Sequence, residues 1–360
     1  QALSKKIKGK QVLLIVLVMG LIAIGGTTFG LAEETMAFYP ILIPVFLLAG
    51  FDRMTVVATI FLGTSIGTMA STINPFSTVI ASNTAGVNFT DALPLRICMW
   101  ATCVIVGMIY VILYAKKVQK NPKASYVYND FAKEDQEYMN QNQSMQESKF
   151  TWRQKLTLLV FAFAFIVMIW GVQQKGWYFT EIAVVFLTTG YIFAFISGLS
   201  EHKFVESFVN GAADLLGVAL TIGLARAVSI VMEESHTSDT IMNFFSQQVS
   251  GMPPLLFIWF MFLVYIVLGF FIQSSSGLAV LSMPIMAPLA NVVGIDRASI
   301  IDAYNWGQGF ISLIAPTGLI LMSLMMVNIG FNKWFKFCWK LLVIEFGICL
   351  AFLAIGLVVY

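Results

Sequence analysis

Glu33 and Glu34 stand side by side in the segment FGLAEET, between apolar runs, and Arg226 stands inside another apolar run, GLARAVSIVMEE. Ionisable groups in such surroundings are costly and mark function. A carboxylate there pairs with a cation, takes up a proton or binds a cationic ligand, and adjacent carboxylates repel, so that protonation of one could couple to transport. Two readings are open for the pair. Either one or both contact a cargo or ion, or one caps the N-terminus of a returning half-helix, where negative charge is favoured. Arg226 either grips a carboxylate with its guanidinium fork or snorkels and pairs with Glu233 or Glu234. Asp214, nearer the cytoplasmic end of the same run, reads as interfacial.

Hydroxyl and amide groups gather at three other places. STINPFST supplies Ser71, Thr72, Asn74, Ser77 and Thr78 around Pro75, which lacks an N–H donor and enforces a break. QSSSG supplies Gln273, Ser274, Ser275, Ser276 and Gly277, and APTG supplies Pro316, Thr317 and Gly318. Half-helix N-termini at such breaks attract anions, and unwound carbonyls coordinate cations. The candidate ligand set is Glu33, Glu34, Thr35, Asn74, Ser77, Thr78, Arg226, Ser274, Ser275, Ser276 and Thr317, with breaks at Gly30, Pro75, Gly277, Pro316 and Gly318. Ser82, Asn83 and Thr84 either line an exit or pack helices together. Tyr304, Asn305 and Trp306 either stack on cargo or, the reading favoured here, pack the interior.

Other chemistries find no support. His202 and His236 fall in loops on opposite faces, and no HExxH, GxSxG or paired intramembrane aspartates occur, so an intramembrane hydrolase lacks its residues. Cys98, Cys103, Cys338 and Cys349 lie in apolar runs without metal-ligand spacing and read as packing residues. No catalytic residue, metal, cofactor or nucleic-acid partner is implied.

The elements that must position these groups are membrane helices. Hydrophobic residues make up 58% of the 360 and charged residues only 11%, where a soluble domain carries about 25% charged. Several apolar runs are too short to cross about 30 Å of hydrocarbon and come in pairs around the polar breaks. Backbone leaves a helix at membrane depth only where protein or a watery cavity satisfies it, so the breaks point to an internal site. The fold class expected is an all-α membrane protein with two re-entrant hairpins and two broken helices. Residues 1–115 form a first repeat: hairpin 11–50, broken helix 54–89 and span 95–115. A connector, 116–153, follows. Residues 154–360 form the second repeat: spans 154–172, 179–199 and 211–232, hairpin 254–293, broken helix 298–331 and span 335–360. An interfacial helix is expected around 238–249.

Shifting the chain by 244 residues superposes Gly25 on Gly269, Pro40 on Pro284, Ile41 on Ile285, Pro44 on Pro288, Gly50 on Gly294, Asp52 on Asp296, Arg53 on Arg297 and Gly63 on Gly307. This is the sign of internal duplication. Five crossings between the hairpins make the repeat inverted. The count also places basic residues unevenly. The N-terminus, Arg53, the 116–155 region, Lys203 and Lys333–Lys340 share one side, and only Arg96, Lys175 and Arg297 the other. The basic side, with the 116–153 connector, is then cytoplasmic. The three spans before the second hairpin have no counterpart before the first, so about 100 residues of N-terminal spans are expected to be missing, in keeping with the Gln start.

The segments GGTTFGLAEETMAFYPILIP (25–44), STINPFSTVIASNTAGV (71–87), GLARAVSIVMEE (223–234), QSSSGLAVLSMPIMAPLA (273–290) and APTG (315–318) resemble the YfcC-like branch of the C4-dicarboxylate anaerobic carrier family, in the ion transporter superfamily. The resemblance covers nearly the whole chain. It implies a prokaryotic cytoplasmic-membrane protein, a homodimer with scaffold and transport domains, and elevator-type movement. The tips read AEET and QSSSG where other superfamily branches carry Ser-Asn-Thr. Some YfcC-like proteins resemble arginine–ornithine antiporters. Two carboxylates at one tip suit a guanidinium or ammonium group, and Arg226 or a hairpin N-terminus suits an α-carboxylate. The cargo expected is a cationic amino acid. The alternative is a C4-dicarboxylate or other carboxylate coupled to H+ or Na+.

Overall fold

The computed structural model describes residues 11–130, 152–175, 177, 179–237, 240, 244, 247 and 251–359; within 169–233 some side chains, Arg226 among them, lie outside that description. The described residues form helices and no strands, because lipid offers no partner for a backbone N–H or C=O. Six helices are long and apolar enough to cross a bilayer, from Val12–Phe29 to Phe331–Val359. The protein is a multi-pass membrane protein.

The chain begins with α1 (Val12–Phe29), which ends where Gly30 turns left-handed at φ 76°. There the Gly30 N–H donates to the Gly26 carbonyl and the Leu31 N–H to the Gly25 carbonyl, a C-terminal closure that glycine permits. A 3-10 turn (Glu33–Phe38) leads into α2 (Tyr39–Leu48). Next come α3 (Arg53–Met69), a break, a π turn (Pro75–Val79), α4 (Ile80–Ala85) and α5 (Leu93–Lys120). After α6 (Trp152–Lys175), α7 (Phe179–Ser197) and α8 (Glu201–Glu234) the pattern returns. It comprises α9 (Pro254–Phe271), α10 (Ser275–Val293), α11 (Arg297–Ser312), α12 (Leu319–Met326) and α13 (Phe331–Val359). The α8 helix begins ten residues before the 211–232 span expected from hydropathy, because Glu201–Asn210 is polar but still helical.

Several of the residues identical at the 244-residue shift occupy the same structural positions. Gly50 and Gly294 both end a returning helix at positive φ, 82° and 78°. Asp52 and Asp296 then cap the next helix, accepting from the Thr55 N–H at 2.9 Å and the Ala298 N–H at 2.7 Å. Gly63 and Gly307 mark helix crossings. A Cβ would stand 3.2 Å from the Met19 carbonyl at Gly63 and 2.7 Å from the Phe262 carbonyl at Gly307. Accordingly α1 packs on α3 as α9 packs on α11, and α2 on α12 as α10 on α4.

The half-helices α3 and α11 form the centre. Met54–Gly67 is buried throughout, as is Ala298–Phe310. They meet where a Cβ on Gly309 would fall 2.4 Å from the Met69 Cα. Around them α5 and α13 pack in opposite directions. Tyr110 and Tyr114, late in α5, set their rings edge-on to Phe337, early in α13. Cys103, earlier in α5, lies beside Glu345, later in α13. Of the 116–153 connector, residues 116–120 continue α5, 121–130 follow it, and 152–153 begin α6. Ser125 and Tyr114 both donate to Asp52 Oδ2 at 2.6 Å, and Asp130 pairs with Lys333. The remainder of the connector, 131–151, lies outside the described residues; of the helix expected around 238–249 only Thr240, Phe244 and Gln247 are described, and all three are helical.

Arg96, counted in the sequence analysis among the few basic residues of the second side, is also a structural residue. It is fully buried, with Nε 2.5 Å from Asp302 Oδ1 in α11 and Nη1 donating to the Phe89 carbonyl at 2.9 Å. The pair ties the start of α5 to the central half-helix. Removing one partner leaves the other charge buried, so Asp302→Ala should cost about 3–5 kcal/mol, read as a fall in melting temperature of the full-length protein in detergent. The double replacement Arg96→Met/Asp302→Leu should recover most of that loss.

Candidate functional site

The break after α3 releases backbone groups, and the end of α1 takes them up. Thr27 Oγ1 donates to the Ala70 carbonyl at 3.1 Å. The Thr27 carbonyl accepts the Thr72 and Ile73 N–H groups at 3.3 and 3.2 Å, and the Thr72 hydroxyl at 3.2 Å. Asn74 Oδ1 then accepts the Phe76 N–H at 2.9 Å and opens the π turn behind Pro75. Gly30, at the first tip, lies against these residues. A Cβ there would come within 2.8 Å of Asn74 Oδ1 and 2.9 Å of the Phe76 ring. The first tip is seated on the first break.

The second tip reaches the same place. Ser274 Oγ caps α10 by accepting the Gly277 N–H at 3.1 Å, and Ser275 Oγ donates to the Phe76 carbonyl at 3.1 Å. Gly277, read from the sequence as part of the break, lies in the first turn of α10, because the Ser274 cap starts the helix two residues earlier. Tyr304 Oη donates to the Ser275 carbonyl at 2.6 Å, and Gln308 Nε2 to the Gln273 carbonyl at 3.2 Å. The second break joins through Thr317 Oγ1, which donates to the Phe270 carbonyl at 3.1 Å. Gly318 passes so close to Gln273 that a Cβ would lie 2.7 Å from its Oε1. Phe76 is thus where both tips meet.

The two carboxylates separate in role. Glu34 Oε2 accepts the Ala32 N–H at 3.1 Å and is held by its own tip. Thr35 is fully buried and donates to the Ala32 carbonyl at 2.6 Å, an anchor rather than an open ligand. Glu33 is exposed. Among the described residues no hydrogen bond joins Glu33 or Glu34 to Ser274, Ser275 or Ser276. Ser77 and Thr78 turn inward: Thr78 lies 2.5 Å from Ser71 Oγ and accepts from Asn305 Nδ2 at 3.1 Å, and Ser77 donates to Ser71 at 3.1 Å. The Arg226 side chain lies outside the described residues. No group of three His, Cys, Asp or Glu suited to a metal occurs among the described residues.

Several of these contacts are absent from the sequence reading. Thr27 and Gln308 look like ordinary helix residues until their distant carbonyl and hydroxyl partners are known. Glu345 is buried in α13 beside Cys103, and neither of its oxygens has a hydrogen-bond partner among the described residues; its signal was a lone carboxylate in the run LLVIEFGICL. Gly30→Ala should destabilise the full-length protein by about 1–2 kcal/mol from the left-handed backbone alone. The crowding at Asn74 adds to that, so transport should fall more than melting temperature does.

Comparison with known proteins places the chain among membrane carriers. The profile of the C4-dicarboxylate anaerobic carrier family, DcuC, matches residues 1–358. A Haemophilus influenzae protein described as uncharacterized is 49% identical over 339 residues, covering 93% of this chain and 66% of its own length. The putative basic amino acid antiporter YfcC of Escherichia coli K12 is 32% identical over 347 residues, covering 93% of this chain and 68% of its own length. The chain therefore spans about two thirds of the curated relatives it matches. Among solved structures, Neisseria gonorrhoeae MtrF, described as one of a class of antimetabolite efflux pumps, aligns with TM-score 0.44 and 15% identity, over 97% of this chain and 81% of its own. The Alcanivorax borkumensis YdaH transporter aligns with TM-score 0.46 and 14% identity, over 96% and 80%. On the match along nearly its whole length, the chain belongs to the C4-dicarboxylate anaerobic carrier family.

Proposed function

We propose that the protein is a secondary active transporter that exchanges cationic amino acids, arginine and ornithine among them, across a prokaryotic cytoplasmic membrane. One observation carries the reading: both hairpin tips converge on Asn74–Phe76, and the first tip presents an exposed carboxylate, Glu33. A guanidinium or ammonium group gains a charge-assisted hydrogen bond there, and the Ser274–Ser276 end of α10 suits the cargo's α-carboxylate. Arg226 is a second partner for that carboxylate in this reading. The basic-amino-acid description of the Escherichia coli relative points the same way. The second reading is a C4-dicarboxylate, which the family's own description favours, with H+ or Na+ as the coupling ion that reading would require. Glu33 repels such a cargo unless it is protonated.

We read the two element sets as an inverted repeat. Support comes from the opposed packing of α5 and α13, which are counterparts at the 244-residue shift. In an elevator-type homodimer the hairpins and broken helices would move, and the apolar outer faces of α6–α8, where Phe195 is 86% exposed, would face lipid or partner.

Proteoliposomes holding the full-length protein and unlabelled ornithine should take up labelled arginine but not succinate. Glu33→Gln should slow that exchange by about tenfold or more, the loss of one charge-assisted contact. Glu34→Gln, whose amide oxygen still accepts the Ala32 N–H, should change it little. Succinate uptake without arginine uptake would overturn the reading, as would full exchange by Glu33→Gln.

A further inference from the structure

The end of α5 and the start of α13 lie together at one membrane face, and the cargo reading makes no use of their outward surface. Tyr110 and Tyr114 of α5 set their rings edge-on to Phe337 of α13 at 5.4 and 4.9 Å, and the helices run in opposite directions. One residue before each of these tyrosines stand Ile109 and Leu113, 51% and 63% exposed, and the same four-residue step continues to Lys117. One residue before Phe337 stands Lys336, and four-residue steps lead on to Lys340 and Ile344, all exposed. At a spacing of four, each set forms a stripe along its helix. Stripes offset by one residue in the same sense on two antiparallel helices fall on the same side of the pair. The two stripes therefore flank one groove, and the exposed Lys120, in the last turn of α5, stands at its mouth.

Polarity along the groove is graded. Ile109, Leu113 and Ile344 lie toward the membrane interior, and the four lysines gather toward the helix ends. Lys340 is a turn deeper than Lys336, but its stem is long enough to carry the ammonium outward, and that ammonium lies 5.6 Å from the centre of the Trp339 ring. None of the four has a carboxylate partner among the described residues. Other lysines keep acids close: Lys333 pairs with Asp130, and Lys203 stands in sequence between Glu201 and Glu206. The C-terminal dipole of α5 favours Lys117 and Lys120, but Lys336 and Lys340 stand near the N-terminal end of α13, where the dipole offers a cation nothing. Four like charges around a groove call for an anion, and the exposed apolar residues below them call for hydrocarbon. A phospholipid meets both needs, as in other basic pockets between membrane helices.

We propose that Lys117, Lys120, Lys336 and Lys340 form a binding site for the phosphate head group of an anionic phospholipid, whose acyl chains lie along Ile109, Leu113 and Ile344. The lipid clamps α5 to α13 at this face, away from the tips and breaks. It is independent of which cargo is carried, because none of these side chains belongs to the Asn74–Phe76 meeting point.

Native mass spectrometry of the purified full-length protein in detergent tests it, with phosphatidylglycerol and phosphatidylcholine of the same acyl chains as probes. Phosphatidylglycerol should bind about tenfold or more tightly than phosphatidylcholine, and inorganic phosphate should not displace it. The fourfold replacement Lys117→Gln/Lys120→Gln/Lys336→Gln/Lys340→Gln should abolish the preference. Lys155→Gln/Lys203→Gln, at exposed lysines of α6 and α8, should keep it. Should the fourfold variant fail to fold, Lys336→Gln/Lys340→Gln should still reduce the preference by about threefold or more. Equal binding of the two lipids would overturn the proposal, in favour of the chain's own acidic run, Glu134, Asp135 and Glu137, as counter-charge. Displacement by inorganic phosphate, or a preference unchanged by the lysine replacements, would overturn it too.

Discussion

Backbone that leaves a helix inside a bilayer must find its hydrogen-bond partners in the protein, and that constraint organises this molecule. Each unmet group costs several kcal/mol in hydrocarbon. Thr27 therefore sits where α3 stops, its carbonyl and hydroxyl taking up the groups at Ala70, Thr72 and Ile73. Ser275 answers the Phe76 carbonyl, and Gln308 answers Gln273. These bonds help hold the tips on the breaks. The convergence of polar groups at the centre follows from the same constraint, and a binding site becomes available there at little extra cost.

Close packing lets the arrangement persist. Glycines at 63, 307 and 309 allow backbone to pass backbone where α1 crosses α3, α9 crosses α11 and α11 meets α3. The Arg96–Asp302 pair adds a charged tie between α5 and α11. The two halves nevertheless differ where chemistry is concerned. One tip carries Glu33 and Glu34, the other three serines, and the hydroxyl cluster with Asn305 surrounds only the first break. The repeated positions build the frame, and in the proposed reading the departures from them carry the selectivity.

Much of the frame was legible in the residues. Helical character, the paired short segments and the breaks at Gly30, Pro75 and Pro316 follow from hydropathy length and from glycine and proline chemistry, which act locally. The repeated GFDR and GIDR motifs were legible as a repeat, and the structure explains them as a left-handed glycine followed by an Asp cap. What escaped depends on distant partners. Arg96 could be counted only as a charge on one side, because its partner Asp302 is 206 residues away. Gly277 looked like a break because the Ser274 cap that makes it helical is a matter of geometry. Ser77 and Thr78 looked like open ligands until Ser71 and Asn305 claimed them.

The central claim is that the two tips and the first break make one cargo site, with Glu33 as its cation-binding group. A cryo-electron microscopy structure of the full-length protein at saturating arginine tests it directly. Density for the amino acid should lie with its guanidinium at Glu33 and its body bounded by Asn74, Phe76 and Ser275. Well-resolved arginine bound elsewhere, with Glu33 uninvolved, would contradict the account.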